Sequence, residues 1–224
     1  GLDGTDVRCA AVRDRRLTDE WFTKWYEPGV LEELLMIDHL VSRVENPQLR
    51  NVARVAFSDI LRRCSRAHSG YPNVMFDRHA PARSAPGPLF LRTLRSICRT
   101  VASLWSSSAD LENVVVKQGT ASKLSVADDS VDAIITHPPY VGSIPYAEYQ
   151  ALSLKWIGAD SKALDRALTG GRRLASDVVG RFRQSYGEMW LECARVLRPG
   201  RCAFVMVGNP VVRGGTVDLA LMST

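Results

Sequence analysis

No Cys-x-x-Cys pair occurs in these 224 residues, although five cysteines are present: Cys9, Cys64, Cys98, Cys193 and Cys202. Their odd number and wide scatter argue against a zinc ribbon or a disulfide framework, so a reduced, cytoplasmic setting is expected. His39, His68 and His79 stand at no metal-ligand spacing, among themselves or with carboxylates, and no metal is expected. No apolar run approaches the length of a membrane span and no secretory signal is present, which predicts no membrane partner. A Gly-x-x-x-x-Gly-Lys phosphate loop is missing. So is the His-x-Glu with Pro-Cys-x-x-Cys pattern that zinc-dependent base deamination requires. Low-complexity runs are few, and internal repeats are absent. Nor does the chain begin with methionine; Gly1 is expected to mark a processing site, an expression scar or the start of a fragment.

What is present is enough apolar content (46%) for a real core, in one domain or two small ones. A formal net charge of +5 points to an anionic partner such as nucleic acid. Residues 1–110 read as a helical module. Leu31, Leu34, Leu35, Ile37 and Val41 fall near helical spacing behind Pro28, which is placed to open a helix. Pro47 opens a second helix, with Leu49, Val52, Val55, Ala56 and Ile60 as its apolar stripe. After a loop rich in Pro, Gly and Ser, a third puts Leu91, Leu94, Ile97, Cys98 and Val101 on one side.

Near Ala109 the pattern changes. Three short apolar runs, Asn113 to Gln118, Val131 to Thr136 and Cys202 to Gly208, alternate with helical stretches. The last helix is expected to stop at Arg198-Pro199-Gly200. Fully apolar strands separated by helices predict an α/β arrangement with a parallel sheet over residues 111–224.

One stretch carries chemistry. "IITHPPYVGSIPYAEY" (Ile134 to Tyr149) leaves a β-branched run and enters His137-Pro138-Pro139-Tyr140 directly. Such a turn lies at the carboxyl edge of the sheet, where open α/β folds place their ligands. Two prolines stiffen the backbone and remove two amide hydrogens, leaving carbonyls as fixed acceptors. A tyrosine beside them can stack on a planar group bearing an amine. The alternative reading is a Pro-Pro turn with a core tyrosine.

These residues resemble the amino-methylating DNA methyltransferases, which act on the exocyclic amino group of cytosine or adenine. That family carries Asp, Asn or Ser before Pro-Pro-Tyr. "VADDSVDAIITHPPY" is similar to the family's approach to its motif, "ECARVLRPGRCAFVMVGNP" to its later helix-turn-strand, and "VGNPVVRGGTVDLA" to the segment that follows. The likeness spans about residues 111–224, in order and at the right spacing. It implies a partial Rossmann-like methyltransferase sheet, S-adenosylmethionine as cofactor and DNA as partner, with the target base flipped out of the duplex. It places His137 as hydrogen-bond acceptor for the amino group, Pro138 as the carbonyl, Pro139 in the rigid turn and Tyr140 as stacking platform. Tyr146 falls near a second aromatic. Thr120 stands where relatives have an aspartate that contacts the adenine ring, and Thr136 and His137 border the cofactor.

Two departures are expected to matter. His137 replaces a carboxylate, amide or hydroxyl, and neutral imidazole offers one acceptor nitrogen. Protonated imidazole can only donate, so amino-group activation would fail in acid. Second, no glycine-rich Phe-x-Gly-x-Gly loop and no ribose-binding acidic residue can be found. The chain is therefore expected to be a fragment, one part of a split enzyme completed by a second polypeptide, or an inactive relative that binds DNA or organises a complex. RNA guanine methylation is a further alternative, since those enzymes also use Pro-Pro-Tyr. Between Arg54 and Trp105 every basic residue is arginine, opposed only by Asp59 and Asp77. Arg62, Arg63 and Arg66 are the leading nucleic-acid candidates there, because guanidinium matches phosphate and guanine with paired donors. Arg172 and Arg173, beside Gly170-Gly171, are candidates for phosphate near the active edge.

Overall fold

A computed structural model describes residues 13–71, 73–80, 84–107, 113–141, 145–168 and 178–208, with the backbone of 211–212 and 215–216. The chain divides into two compact units. One comprises residues 1–114 with Tyr149–Ile157, the other residues 115–148 with 158–224.

The first unit is helical. A 3-10 turn (Arg15–Leu17) leads to α1 (Glu20–Trp25), α2 (Pro28–Ser42), α3 (Pro47–Cys64) and α4 (Pro86–Ser107). Asp19 caps α1 by accepting from the Trp21 amide at 2.8 Å, and Asn46 caps α3 by accepting from Gln48 and Leu49 at 3.0 Å. Pro28 and Pro47 sit in the first turns, where a missing N–H costs nothing. The predicted face of α2 is the buried one: Leu31, Leu34, Leu35, Ile37 and Val41. That of α3 is rotated. Ala53, Ala56, Phe57, Ile60, Leu61 and Cys64 are buried, whereas Leu49 and Val55 are 62% and 59% exposed. Burial holds the Cys64 thiol protonated, raising its pKa to about 11.

Two short helices, α5 (Tyr146–Tyr149) and α6 (Ala151–Trp156), follow the Pro-Pro-Tyr motif. The sequence pattern groups them with the α/β half, but Tyr149–Ile157 belongs to the helical unit. The reason is Trp156. Its ring meets Phe22, Tyr26 and Phe57 edge-on at 5.1–5.9 Å, its Nε1 donates to the Tyr26 hydroxyl at 3.1 Å, and Arg16 lies 4.8 Å over its face. Burial pushes the Tyr26 phenol pKa up.

The second unit is mixed helix and strand. β1 (Val131–Thr136) pairs in parallel with β2 (Leu197–Val205), connected through α7 (Ser161–Ala167) and α8 (Val178–Val196). These two strands form a two-stranded parallel sheet, and a separate antiparallel pair joins β3 (Val211–Val212) to β4 (Gly215–Thr216). The α8 helix ends at Val196, before Arg198-Pro199-Gly200, because β2 already begins at Leu197. The register jumps from Val131 opposite Leu197 to Ala133 opposite Cys202, and Gly200 takes a φ of +76° in the intervening bulge. Glycine alone reaches that conformation without cost, and Pro199 has no ladder hydrogen to lose.

The expected strand at Asn113 to Gln118 does not form. Val114, Val115 and Val116 are 61%, 73% and 90% exposed and pair with nothing in the sheet. β-branched residues favour a strand only where a neighbouring strand supplies the ladder.

α8 covers one face of the sheet. Phe182 and Tyr186 are fully buried and stacked at 5.1 Å, and they join Val141, Met189 and Cys193, with Ile134, Tyr140, Trp190 and Val207 against them. Glu192, on the same helix, fastens the connector before β1. Its carboxylate accepts from Arg195 Nη2 at 2.6 Å and from the Leu124 amide at 2.7 Å. Arg195 also ion-pairs with Asp128 and donates to the Val126 carbonyl at 3.0 Å. The Arg195 bond, then the Leu124 amide, hold the Glu192 carboxyl down to about 2. A depressed carboxyl stabilises fully above its unfolded value, about 4.3, and that contribution is lost as pH falls toward the folded value. Thermal melting followed from pH 5 down should therefore steepen in that window for the wild type. Glu192→Gln should start lower and fall less across it; parallel curves would remove Glu192 from the linkage.

Candidate functional site

The β1 strand delivers its last residue, half-buried Thr136, to the carboxyl edge of the sheet, where the Thr136 carbonyl accepts from the Met206 amide at 3.0 Å. The next four residues turn out of the strand. Pro138 is buried, Pro139 and Tyr140 are half-buried, and His137 is exposed. Val141, with no accessible surface, anchors the far end of the turn among Phe182 and Tyr186. The motif is thus pinned on both sides, with its histidine left in solvent.

His137 and Tyr140 form one unit. His137 Nε2 and the Tyr140 hydroxyl are 2.8 Å apart, and the rings meet edge to face at 5.2 Å and 75°. Neutral imidazole has one donor and one acceptor nitrogen, so the direction of this hydrogen bond decides what the site can do. If the tyrosine donates to Nε2, the acceptor is consumed and Nδ1 carries the proton. If Nε2–H donates to the tyrosine oxygen, Nδ1 is the acceptor and is available to an incoming amine. Only the second tautomer can accept a hydrogen bond from a substrate.

The return from β2 closes the site. After Val205 the chain passes Met206 and Val207 to Gly208, which lies against Tyr140: a methyl group there would stand 3.2 Å from the Tyr140 hydroxyl and 3.4 Å from the ring carbon bearing it. A side chain there would press on the tyrosine by a few tenths of an ångström, so the glycine permits this close approach. The sequence reading did not single out Gly208; a glycine directly after an apolar strand was the available signal.

The other candidates are dispersed. Thr120 is exposed in a small bridge with Lys123, its hydroxyl 3.1 Å from that of Ser122. Tyr146 opens the one-turn α5 and is 39% exposed. Arg172 and Arg173 lie outside the described residues. The three arginines of α3 and its end have partners within the helical unit. Arg62 donates to the carbonyls of His68 (3.2 Å) and Tyr71, and so holds the loop that returns to pair Ala67 with Phe76. Arg63 pairs with Asp59 at 2.9 Å, and Arg66 pairs with Glu27, its Nε at 2.9 Å. Arg54, Arg92, Arg95 and Arg99 are exposed and form no ion pair among the described residues.

No group of His, Cys, Asp and Glu among the described residues is arranged to hold a metal ion. No described helix is long and apolar enough to cross a membrane. In comparisons with known proteins, the chain matches no family model, no curated protein and no solved structure.

Proposed function

We propose that this chain is the amine-binding part of an S-adenosylmethionine-dependent DNA methyltransferase acting on the exocyclic amino group of cytosine or adenine. The observation that carries the reading is the His137–Tyr140 pair at the carboxyl end of a parallel strand, fixed by a buried proline and by Val141. Ligands of open α/β sheets bind at that edge.

The described residues do not fit the cofactor by themselves. Neither β1 nor β2 is followed by a glycine-rich turn of the kind that cradles a methionine moiety, and Thr120 is exposed and engaged with Ser122. The proposal therefore takes the cofactor loop from a further segment or a second polypeptide. The sheet face away from α8 supports that assignment: Ile135, Phe204 and Met206 are 84%, 61% and 68% exposed, and parallel sheets are normally covered on both faces. A Rossmann-like methyltransferase sheet is then the completed form of this unit.

When bound, the cofactor supplies the methyl group. This chain's residues hold the amine. Tyr140, half-buried and backed by the α8 cluster, is the stacking platform for a base flipped from the duplex. The Pro138 carbonyl and His137 Nδ1 accept from the amino group, while Nε2–H stays on the tyrosine oxygen. Two acceptors on one amine direct its lone pair away from them. The helical unit, with its exposed arginines, is the proposed DNA-contact module.

Calorimetry with S-adenosylhomocysteine tests the reading, on this chain and then with the polypeptide that precedes or accompanies it in the cell. Binding with the added piece is the expected outcome. Absence of binding in both would favour an inactive DNA-binding or assembly protein, the reading supported by the sparse cofactor side. A preference for RNA over DNA in the completed protein would move the substrate to RNA guanine.

A further inference from the structure

The Thr136 carbonyl accepts from the Met206 amide at 3.0 Å, so Thr136 and Ile134 are residues of β1 whose backbone groups face β2. In a parallel ladder alternate residues bond to opposite neighbours. The N–H and C=O groups of Ala133 and Ile135 therefore point to the other edge, where no described strand lies. From Ala133 to Thr136 that edge carries neither charge nor proline, the usual guards of an exposed strand. Paired and alternate residues share a face, so Ala133, Ile135, Cys202, Phe204 and Met206 form an uncharged, exposed surface opposite α8.

The connector before β1 indicates what belongs at that edge. Residues 119–130 are fastened to α8, by Glu192 accepting from the Leu124 amide and by Arg195 donating to the Val126 carbonyl. They are long enough to cross between parallel strands, and such crossovers are right-handed. β1 reaches β2 through α8, so a connector on the same face enters β1 from the side away from β2. The exposed run Val115-Val116 then belongs beyond the open edge of β1, as a strand whose neighbour is missing. We infer that a parallel strand from outside this chain inserts between that run and β1, and that the helix joined to it covers Ile135, Phe204 and Met206. Handedness fixes the face as well, because a right-handed crossover leaving the slot away from β2 lays its helix opposite α8. One β-α unit thus closes the edge and the bare surface together. A second copy pairing β1 with β1 would close the edge and leave both surfaces bare. The inserted strand ends beside Thr136 and His137. The inference rests on the proposed function for the need of a completing piece, and it gives that piece its architecture.

Two synthetic strand peptides of alternating valine and threonine, differing only in N-methylation of every second amide in one, serve as probes by calorimetry against the intact chain. Main-chain hydrogen bonds carry the affinity in strand addition, so the unmodified peptide should bind at least about tenfold more tightly than the methylated one. It should also slow hydrogen exchange at the Ala133 and Ile135 amides. Val115→Pro with Val116→Pro removes both amides of the far wall, whichever faces the slot, and should weaken binding by about tenfold or more. Both positions are exposed, and an unchanged circular dichroism spectrum checks that the fold survives. In the completed protein the Cys202 thiol, exposed here, should resist alkylation that exposed Cys98 accepts. Equal affinity for the two peptides, no binding of either, full binding by the proline variant, or an alkylated Cys202 would overturn the inference. So would slow exchange at Ala133 and Ile135 in the free chain that grows with its concentration, since a second copy would then fill the edge. A completed protein that takes no S-adenosylhomocysteine, with the peptide and Cys202 results as expected, would leave the insertion standing and remove only the methyltransferase reading.

Discussion

Trp156→Ala should cost the helical unit about 3–5 kcal/mol, the range for deleting a large buried aromatic. The residue is only 8% exposed, and it is the common neighbour of Phe22, Tyr26 and Phe57. Truncation would leave a cavity among three aromatic edges and strand the Tyr26 hydroxyl, buried and without its Nε1 donor. Whole domains are stable by only about 5–15 kcal/mol, so the variant should unfold well before the wild type in urea. Trp156→Phe keeps most of the contact area but still removes the donor to the Tyr26 hydroxyl, so it should lose less than alanine without matching the wild type. Urea unfolding followed by far-UV circular dichroism measures both. An alanine variant within about 1 kcal/mol of wild type would mean that Tyr149–Ile157 does not belong to the helical core.

His137→Ala should lower methylation by the completed enzyme about 10²-fold or more, while DNA affinity stays near that of the wild type. The exposed imidazole contributes little to packing, so the loss would come from the missing acceptor and not from the fold. His137→Asp is the informative partner. A carboxylate presents several lone pairs and needs no particular tautomer, so this variant should keep activity and carry it to lower pH than the wild type. Tyr140→Phe would release Nε2 while preserving the ring. It should leave base stacking intact and make the tautomer, now unconstrained, limit the rate. Transfer of labelled methyl groups to duplex DNA, measured across pH, distinguishes the three. Wild-type methylation by His137→Ala would remove His137 from the proposed acceptor role.

The parts legible in the sequence were those fixed by local chemistry. β1 occupies Val131–Thr136 as its β-branched run predicts, and the helices open at Pro28 and Pro47 because proline suits a first helical turn. What needed the structure depended on distant partners. Nothing local tells Val114 to Val116 that no strand lies beside them, and nothing in "SLKW" reveals that its tryptophan is enclosed by residues 99–134 positions earlier. Arg62 reads in the sequence only as a basic candidate for phosphate; that its guanidinium also donates to the carbonyls of a loop depends on residues six and nine positions on folding back to it. The site followed the same rule. His137 to Tyr140 is contiguous and could be read directly, whereas Gly208 reaches Tyr140 only through the pairing of β1 with β2.

The chain crosses between its two units three times, after Val114, Glu148 and Ile157. A gene fusion with one breakpoint near residue 110 would give the recipient four helices without the tryptophan their core closes on, and the donor a nine-residue remnant with its aromatic face bare. Shuffling this helical unit between proteins therefore needs breakpoints on both sides of Tyr149–Ile157. Inheritance should keep the unit together with the Pro-Pro-Tyr turn that precedes this remnant, so the two halves are expected to change in step and not as exchangeable cassettes.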